Sequence, residues 1–258
     1  MNKEEQNMKL GSQFYSIRDL TATPEGLREA FRQTKEIGYD VVQISGIGAA
    51  VTAKDIAACV REFDLPVVCT HIPFDRLVNE TDTVIAEHKL FGCPEIGIGG
   101  IGSNYATIEE AKVKFDALRE AVKKVNAAGL TFGFHNHAGE FRDLGGTSMY
   151  ETMIEEYPEF NFIHDVYWTT YAGLNPVEYV YRLKGRIVNL HFKDMAATED
   201  RPICACGEGV IDFKRIYDAC LETGVKNILI EQDNAPASGD SMGQMAISYK
   251  NIAPLFGK

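Results

Sequence analysis

Four short runs of this chain end on side chains that bind metals: Phe134-His135-Asn136-His137, Ile163-His164-Asp165, Asn189-Leu190-His191-Phe192-Lys193-Asp194 and Leu229-Ile230-Glu231-Gln232-Asp233. A carboxylate at the end of an apolar run is costly to bury unless a cation compensates it. Asp165 and Glu231 therefore need a partner. A divalent ion supplies one, and a neutral His191 between them completes a mixed oxygen and nitrogen set suited to Mn, Mg, Co or Zn. More ordinary accounts exist for each: Asp165 caps a following turn, His191 donates to a backbone carbonyl, and Glu231 pairs with a nearby Lys or Arg. The joint occurrence at successive run ends favours the metal.

The run around residue 135 is richer, since His135, His137 and Glu140 fall close together. If it is a strand, alternation puts His135 on the face of Gly133 and Phe134 on the other. With that face inward, His135 stands level with the other ligands as the fourth metal ligand. His137 and Glu140 then lie on the following loop, within reach of a substrate or of the metal's surroundings, unless Glu140 is itself a direct ligand. A satisfied structural histidine is the simpler reading of either imidazole alone. His71 ends another apolar run and reads as a substrate or outer-shell group, or else as a neutral core histidine.

Such tips converge only if successive parallel strands carry them. Candidate strands recur along the chain: Leu10 to Tyr15, Val41 to Ser45, Pro66 to His71, Glu95 to Gly99, Leu130 to His135, Asn161 to Asp165, Arg186 to His191 and Asn227 to Glu231. Eight such units predict an α/β fold of the (β/α)8 TIM barrel type, with the polar tips at its C-terminal mouth. Between them lie amphipathic helix patterns, among them Pro24 to Ile37 and Ile108 to Ala128. The first has Thr23 as N-cap, Pro24 at its first position and Gly38 beyond its last turn. No linker-like composition breaks the alternation, so residues 1–258 are read as one barrel domain. An open doubly wound sheet is the competing architecture. It gathers ligands at one switch point and usually carries an early phosphate loop. Here Gly97-Ile98-Gly99-Gly100-Ile101-Gly102 lacks the spacing and the Lys of such a loop, and reads as a close-packed strand end that leaves room for a ligand.

Composition narrows the partners. A formal charge of −11 over 258 residues, with no Lys/Arg cluster, argues against nucleic acid and anionic lipid. No run approaches the ~20 apolar residues of a membrane span. Met1 to Lys9 is polar with no apolar signal region, which points to a cytoplasmic protein. Cys59, Cys69, Cys93 and Cys220 sit in apolar or helical contexts expected to hold reduced thiols, and Cys204 with Cys206 form a C-x-C pair that is weak as a zinc signature.

The opening Gly11-Ser12-Gln13-Phe14-Tyr15-Ser16-Ile17-Arg18-Asp19, the His135-Asn136-His137 tip, Asp165-Val166-Tyr167-Trp168, His191-Phe192-Lys193-Asp194, the stretch from Gly207 to Phe213 and Glu231-Gln232-Asp233 together resemble the sugar phosphate isomerase/epimerase superfamily of xylose-isomerase-like barrels. The resemblance runs along essentially the whole chain. It implies a divalent metal held by acidic and histidine ligands from strands five to eight, and it carries onto Asp165, His191 and Glu231. At strand five many relatives place a glutamate where this chain has His135. Endonuclease-IV-like repair enzymes share the superfamily, but their three-zinc cluster needs more histidines, and Trp168 stands where they are expected to carry one.

What the resemblance implies is a small-molecule sugar or sugar phosphate substrate and a metal-dependent isomerase or epimerase acting on it. The metal chelates two adjacent oxygens, one a carbonyl, and acidifies the proton between them to give an enediolate. Glu231 or His137 is the base, Lys193 neutralises the developing oxyanion unless it merely pairs with Asp194 or a neighbouring strand, and Glu140 supports the catalytic set. Phe14, Tyr15, Tyr167 and Trp168 offer an apolar wall for a sugar ring, or else belong to the core. With a carbonyl already at carbon three, the same proton removal expels a group. That gives a lyase, dehydratase or hydrolase acting on inososes or 3-keto glycosides, which a single base permits. A non-catalytic sugar-binding barrel is the third possibility.

Overall fold

The computed structural model describes residues 8–258. Its strands are β1 (Lys9–Gln13), β2 (Val41–Ile44), β3 (Val67–His71), β4 (Glu95–Ile98), β5 (Thr131–His135), β6 (Asn161–Asp165), β7 (Ile187–Phe192), β8 (Asp194–Met195), β9 (Ile203–Cys204) and β10 (Asn227–Ile230). All but β8 and β9 are parallel neighbours in a closed barrel of order β1-β10-β7-β6-β5-β4-β3-β2. This is the expected (β/α)8 architecture, and each predicted strand is present to within a residue or two at its ends. The polar stretch read as lacking an export signal lies, except for Met8 and Lys9, outside the described residues.

Helices formed where the apolar spacing called for them. The helix Pro24–Ile37 has the Thr23 side chain accepting from the Gly26 N–H, and Gly38 closes it at φ 112°. That dihedral suits glycine because no Cβ obstructs the left-handed region. Between sheet and helices the apolar side chains form two buried clusters, one around Phe14, Phe31 and Phe192, the other around Phe115, Phe134 and Phe162. The barrel interior is narrow enough that glycine is needed there too: a Cβ on Gly97 would lie 2.5 Å from the Cδ1 of Ile163, and one on Gly133 2.9 Å from its Cγ1. Ile163 thus fills the room left by both.

Two local expectations change. The first strand ends at Gln13, and Phe14–Ile17 is a 3-10 turn, because the Gln13 side chain accepts the Tyr15 N–H and bends the chain. Phe14 consequently turns into the core, fully buried with its ring 5.2 Å from that of Phe31, and is no part of a wall at the mouth. The second is the β8–β9 ribbon, two short strands beyond the eight that the sequence pattern predicts. The Asp194 carboxylate ties it down by accepting the N–H groups of Met195, Gly207, Gly209 and Ile211. Among the described residues no helix is long and apolar enough to cross a membrane.

Candidate active site

At the C-terminal mouth, β5, β6, β7 and the residue after β10 bring His135, Asp165, His191 and Glu231 together, with one potential ligand atom of each lying within 4.8 Å of the others. All are buried. Register explains the meeting: Asp165 pairs with His191 across β6 and β7, and both occupy inward positions. His164, between inward neighbours, points outward and pairs with the Tyr150 hydroxyl at 3.0 Å.

Each ligand candidate is held from behind. Asp165 divides its oxygens: Oδ1 accepts the Trp168 N–H at 2.9 Å and caps the helix Val166–Tyr171, while Oδ2 faces His135 Nε2 at 3.3 Å. Capping the helix thus uses one oxygen and leaves the other turned toward the cluster. Asn136 fastens the β5 and β6 tips, accepting the Asp165 N–H at 2.9 Å. Glu231 Oε1 accepts from Gln13 Nε2 at 2.7 Å, and Oε2 lies 2.9 Å from His191 Nδ1. His191 finds its second partner in a side chain rather than a carbonyl, with Nε2 2.7 Å from Gln43 Oε1.

Gln43 Oε1 can only accept, so His191 Nε2 donates to it. Nδ1 is left facing a carboxylate oxygen at 2.9 Å. A shared proton or a bound cation joins such a pair. His191 Nδ1 is moreover buried without a hydrogen-bond partner. The donor set, two imidazoles and two carboxylates, fits a divalent transition metal or Mg.

Lys193 continues the inward register of His191 and is buried. Its ammonium lies 3.2 Å from Asp165 Oδ2, 2.9 Å from Glu231 Oε2 and 3.1 Å from Asp233 Oδ1, so it pairs with these carboxylates and not with Asp194. Burial opposes charge on Asp165, Glu231, Asp233 and Lys193. At Asp165 the Lys193 ammonium and His135 overcome that and hold the carboxyl at about 2. Glu231 is likewise held far below the ordinary range, against its burial, by Lys193 and the histidines. Asp233 is pushed up to about 6 by burial and by Glu231. The ammonium itself rises despite burial, because three carboxylates surround it.

A cavity of about 390 Å³ opens above this cluster, lined among others by Tyr15, His71, Gly100, His137 and Lys193. His71 stands with its ring 5.0 Å from that of His135, and burial keeps its imidazole neutral. His137 lies at the rim, held down at about 3 by burial and by His135 and Lys193. Glu140 remains outside the ligand group: its Oε2 accepts the His137 N–H at 2.9 Å, and burial pushes its carboxyl up to about 7. Trp168 packs one layer back, its ring 5.3 Å from His137 and 5.4 Å from the Lys193 ammonium. Tyr167 is buried, its hydroxyl donating to the Arg201 carbonyl at 2.9 Å. Cys206 is buried with its thiol on the Phe192 carbonyl, and Cys204 is half-buried; the metal-ligating group excludes both.

Sequence reasoning missed Gln13, Gln43 and Asp233. The glutamines pair across β1 and β2 in register, each a polar residue in a buried run. Applied to those runs, the alternation that found the ligands would have placed both facing inward.

A fully closed barrel with its titratable groups at the C-terminal mouth is the layout of a barrel enzyme. The model of the xylose isomerase-like TIM barrel family matches residues 31–245, and the chain belongs to that family. Similar solved structures include a sugar phosphate isomerase/epimerase from Parabacteroides distasonis, 20% identical, with TM-score 0.80 over 99% of this chain and 97% of that one. An L-ribulose 3-epimerase is 14% identical, with TM-score 0.73 over 97% and 95%. A probable 3-DHS dehydratase from Bacillus anthracis is 13% identical, with TM-score 0.71 over 93% and 98%. At these identities the likeness is one of fold. No protein of curated function matches the chain.

Proposed function

We propose that this protein is a divalent-metal-dependent isomerase or epimerase of sugars, acting by proton transfer at a carbon next to a carbonyl. The observation that carries the reading is the buried four-residue group at the mouth, two imidazoles and two carboxylates with a ligand atom of each within 4.8 Å of the others and His191 Nδ1 2.9 Å from Glu231 Oε2. His135, Asp165, His191 and Glu231 would hold the ion. Bound there, it polarises a carbonyl and acidifies the adjacent C–H. The remaining work falls to the chain. His137, neutral and at the cavity rim, accepts the carbon-bound proton, and Glu140 fixes the His137 backbone from behind. The Lys193 ammonium donates to the oxygen on which charge develops. Tyr15 and His71 line the space for the sugar, and Trp168 backs His137. The fold likeness to sugar isomerases and epimerases supports the substrate class. Among the described lining residues Lys193 is the one ammonium or guanidinium, and carboxylates already engage it, which favours a sugar without phosphate.

Elimination is the second reading. The fifth strand presents the imidazole of His135 in place of a second carboxylate, and proton removal from one face needs one base where inversion needs two. A dehydratase is among the structures of similar fold. The test is a metal-reconstituted screen of ketoses, inososes and 3-keto glycosides in deuterated water. Solvent deuterium entering a ketose supports isomerisation, and loss of water or an aglycone supports elimination. Sugar binding that ignores chelator, with no exchange, would sink both.

A further inference from the structure

Resting on that metal reading, we infer that the Lys193 ammonium and the divalent ion are rival occupants of the same two carboxylate oxygens, and that Asp233 is the positioning residue that receives the ammonium when the ion binds. The contested atoms are Asp165 Oδ2 and Glu231 Oε2. Lys193 Nζ approaches them at 3.2 and 2.9 Å. They are also the oxygens that face the imidazole nitrogens, His135 Nε2 at 3.3 Å from the first and His191 Nδ1 at 2.9 Å from the second. An ion on those oxygens would sit a few ångströms from the ammonium, where like charges repel strongly in a buried site.

The charge balance argues against Lys193 as a permanent substitute for the metal. Asp165, Glu231 and Asp233 surround one ammonium, leaving two negative charges that a divalent ion neutralises. Asp233 offers the ammonium a second seat with little movement. Its Oδ1 and Oδ2 already lie 3.1 and 3.2 Å from Nζ, and it stands outside the metal-ligand group. Its backbone is anchored, since Arg18 donates to the Asp233 carbonyl at 3.0 Å. The Trp168 ring, 5.4 Å from Nζ, gives the displaced ammonium a further contact. On this view Lys193 keeps the carboxylates compensated until the ion arrives, and Asp233 sets how readily it yields.

Calorimetric titration of Mn²⁺ into the chelator-treated full chain tests this. Lys193→Met should bind Mn²⁺ about 10-fold tighter or more, and Asp233→Asn about 10-fold weaker. In the Lys193→Met background the Asp233→Asn effect should largely vanish, because Asp233 acts through the ammonium. An equal Asp233→Asn effect in both backgrounds means plain through-space attraction and overturns the role given to Asp233. Unchanged or weaker binding by Lys193→Met overturns the rivalry. Should Lys193→Met fail to fold, a Mn²⁺-loaded structure of the wild type decides: Nζ on Asp233 and out of reach of Asp165 supports the exchange, and Nζ still on Asp165 overturns it. Wild-type protein that binds no Mn²⁺ removes the metal reading itself, and the exchange with it.

Discussion

The pair Asp165 and Glu231 at the mouth and Glu95 at the far end are buried acids treated in opposite ways. At the mouth, Asp165 and Glu231 are held ionised by an ammonium and imidazoles. At the other end Glu95 opens β4, largely buried beside a cavity of about 300 Å³, and its carboxylate is met by the Asn189 amide. Burial pushes it up to about 8, with Asn189 and Lys226 opposing only in part. One strand accounts for the contrast, since β7 and the residue after it supply Asn189, His191 and Lys193 at successive inward positions. Burial alone favours the neutral acid, and an acid stays charged in this interior only where the chain has also buried cations.

Removing an acid from each end exposes the difference. Glu231→Ala, like Asp165→Ala and His191→Ala, should lose most bound metal and activity while circular dichroism still reports a folded barrel. Lys193 keeps Asp165 and Asp233 as partners in Glu231→Ala, so the loss should show in metal binding rather than in the fold. Full metal occupancy in all three variants would break the assignment.

Within the mouth the contrast can be sharpened at His137 and Glu140. His137→Ala should lower turnover about 100-fold or more with metal retained, as expected for loss of a base. Glu140→Ala should cost about 10- to 100-fold through the loosened His137 backbone. His135→Ala should weaken metal binding itself. If Glu140→Ala strips the metal as thoroughly as Asp165→Ala while His135→Ala is silent, the strand-five ligand has been misassigned.

At the far end the effect is smaller and falls on stability rather than on metal binding. Folded Glu95 keeps its proton up to about pH 8, whereas the unfolded chain releases it in the ordinary carboxylate range. Between those limits the folded state binds more protons, so this group's contribution to stability falls as pH rises. Glu95→Gln removes that loss. Denaturant unfolding should find it close to wild type near about pH 5 and more stable above pH 8, by about 1–3 kcal/mol. A variant less stable than wild type at high pH would mean that Glu95 is ionised and paired. The smallest effect belongs to Trp168→Phe, where a weaker cation–π contact should raise KM about 2- to 5-fold and leave kcat nearly unchanged.

Much of this was legible in the chain. The period of two along apolar runs is local, so it located the strands and turned His135, Asp165, His191 and Glu231 to one side. What faces a residue across the barrel is not local. Gln13 and Gln43 matter only because closure brings them to Glu231 and His191, and Lys193 was open between Asp194 and the site until β6 and β10 stood beside it. The first strand was read two residues too long, through Phe14 and Tyr15, since the bend after Gln13 depends on a side chain accepting a backbone N–H.

The divided carboxylate of Asp165 has one more consequence. With Oδ1 committed to the first turn of the helix Val166–Tyr171, the group cannot spin about its terminal bond without uncapping that helix. Its freedom of rotation is already lost when the chain folds, so a ligand arriving at Oδ2 meets an oxygen whose direction is fixed and need not order it. The second oxygen is withheld as well, which restricts Asp165 to single-point attachment. A change that frays the turn at Trp168, on the far side of the side chain from any substrate, would then be read at the mouth as a looser grip.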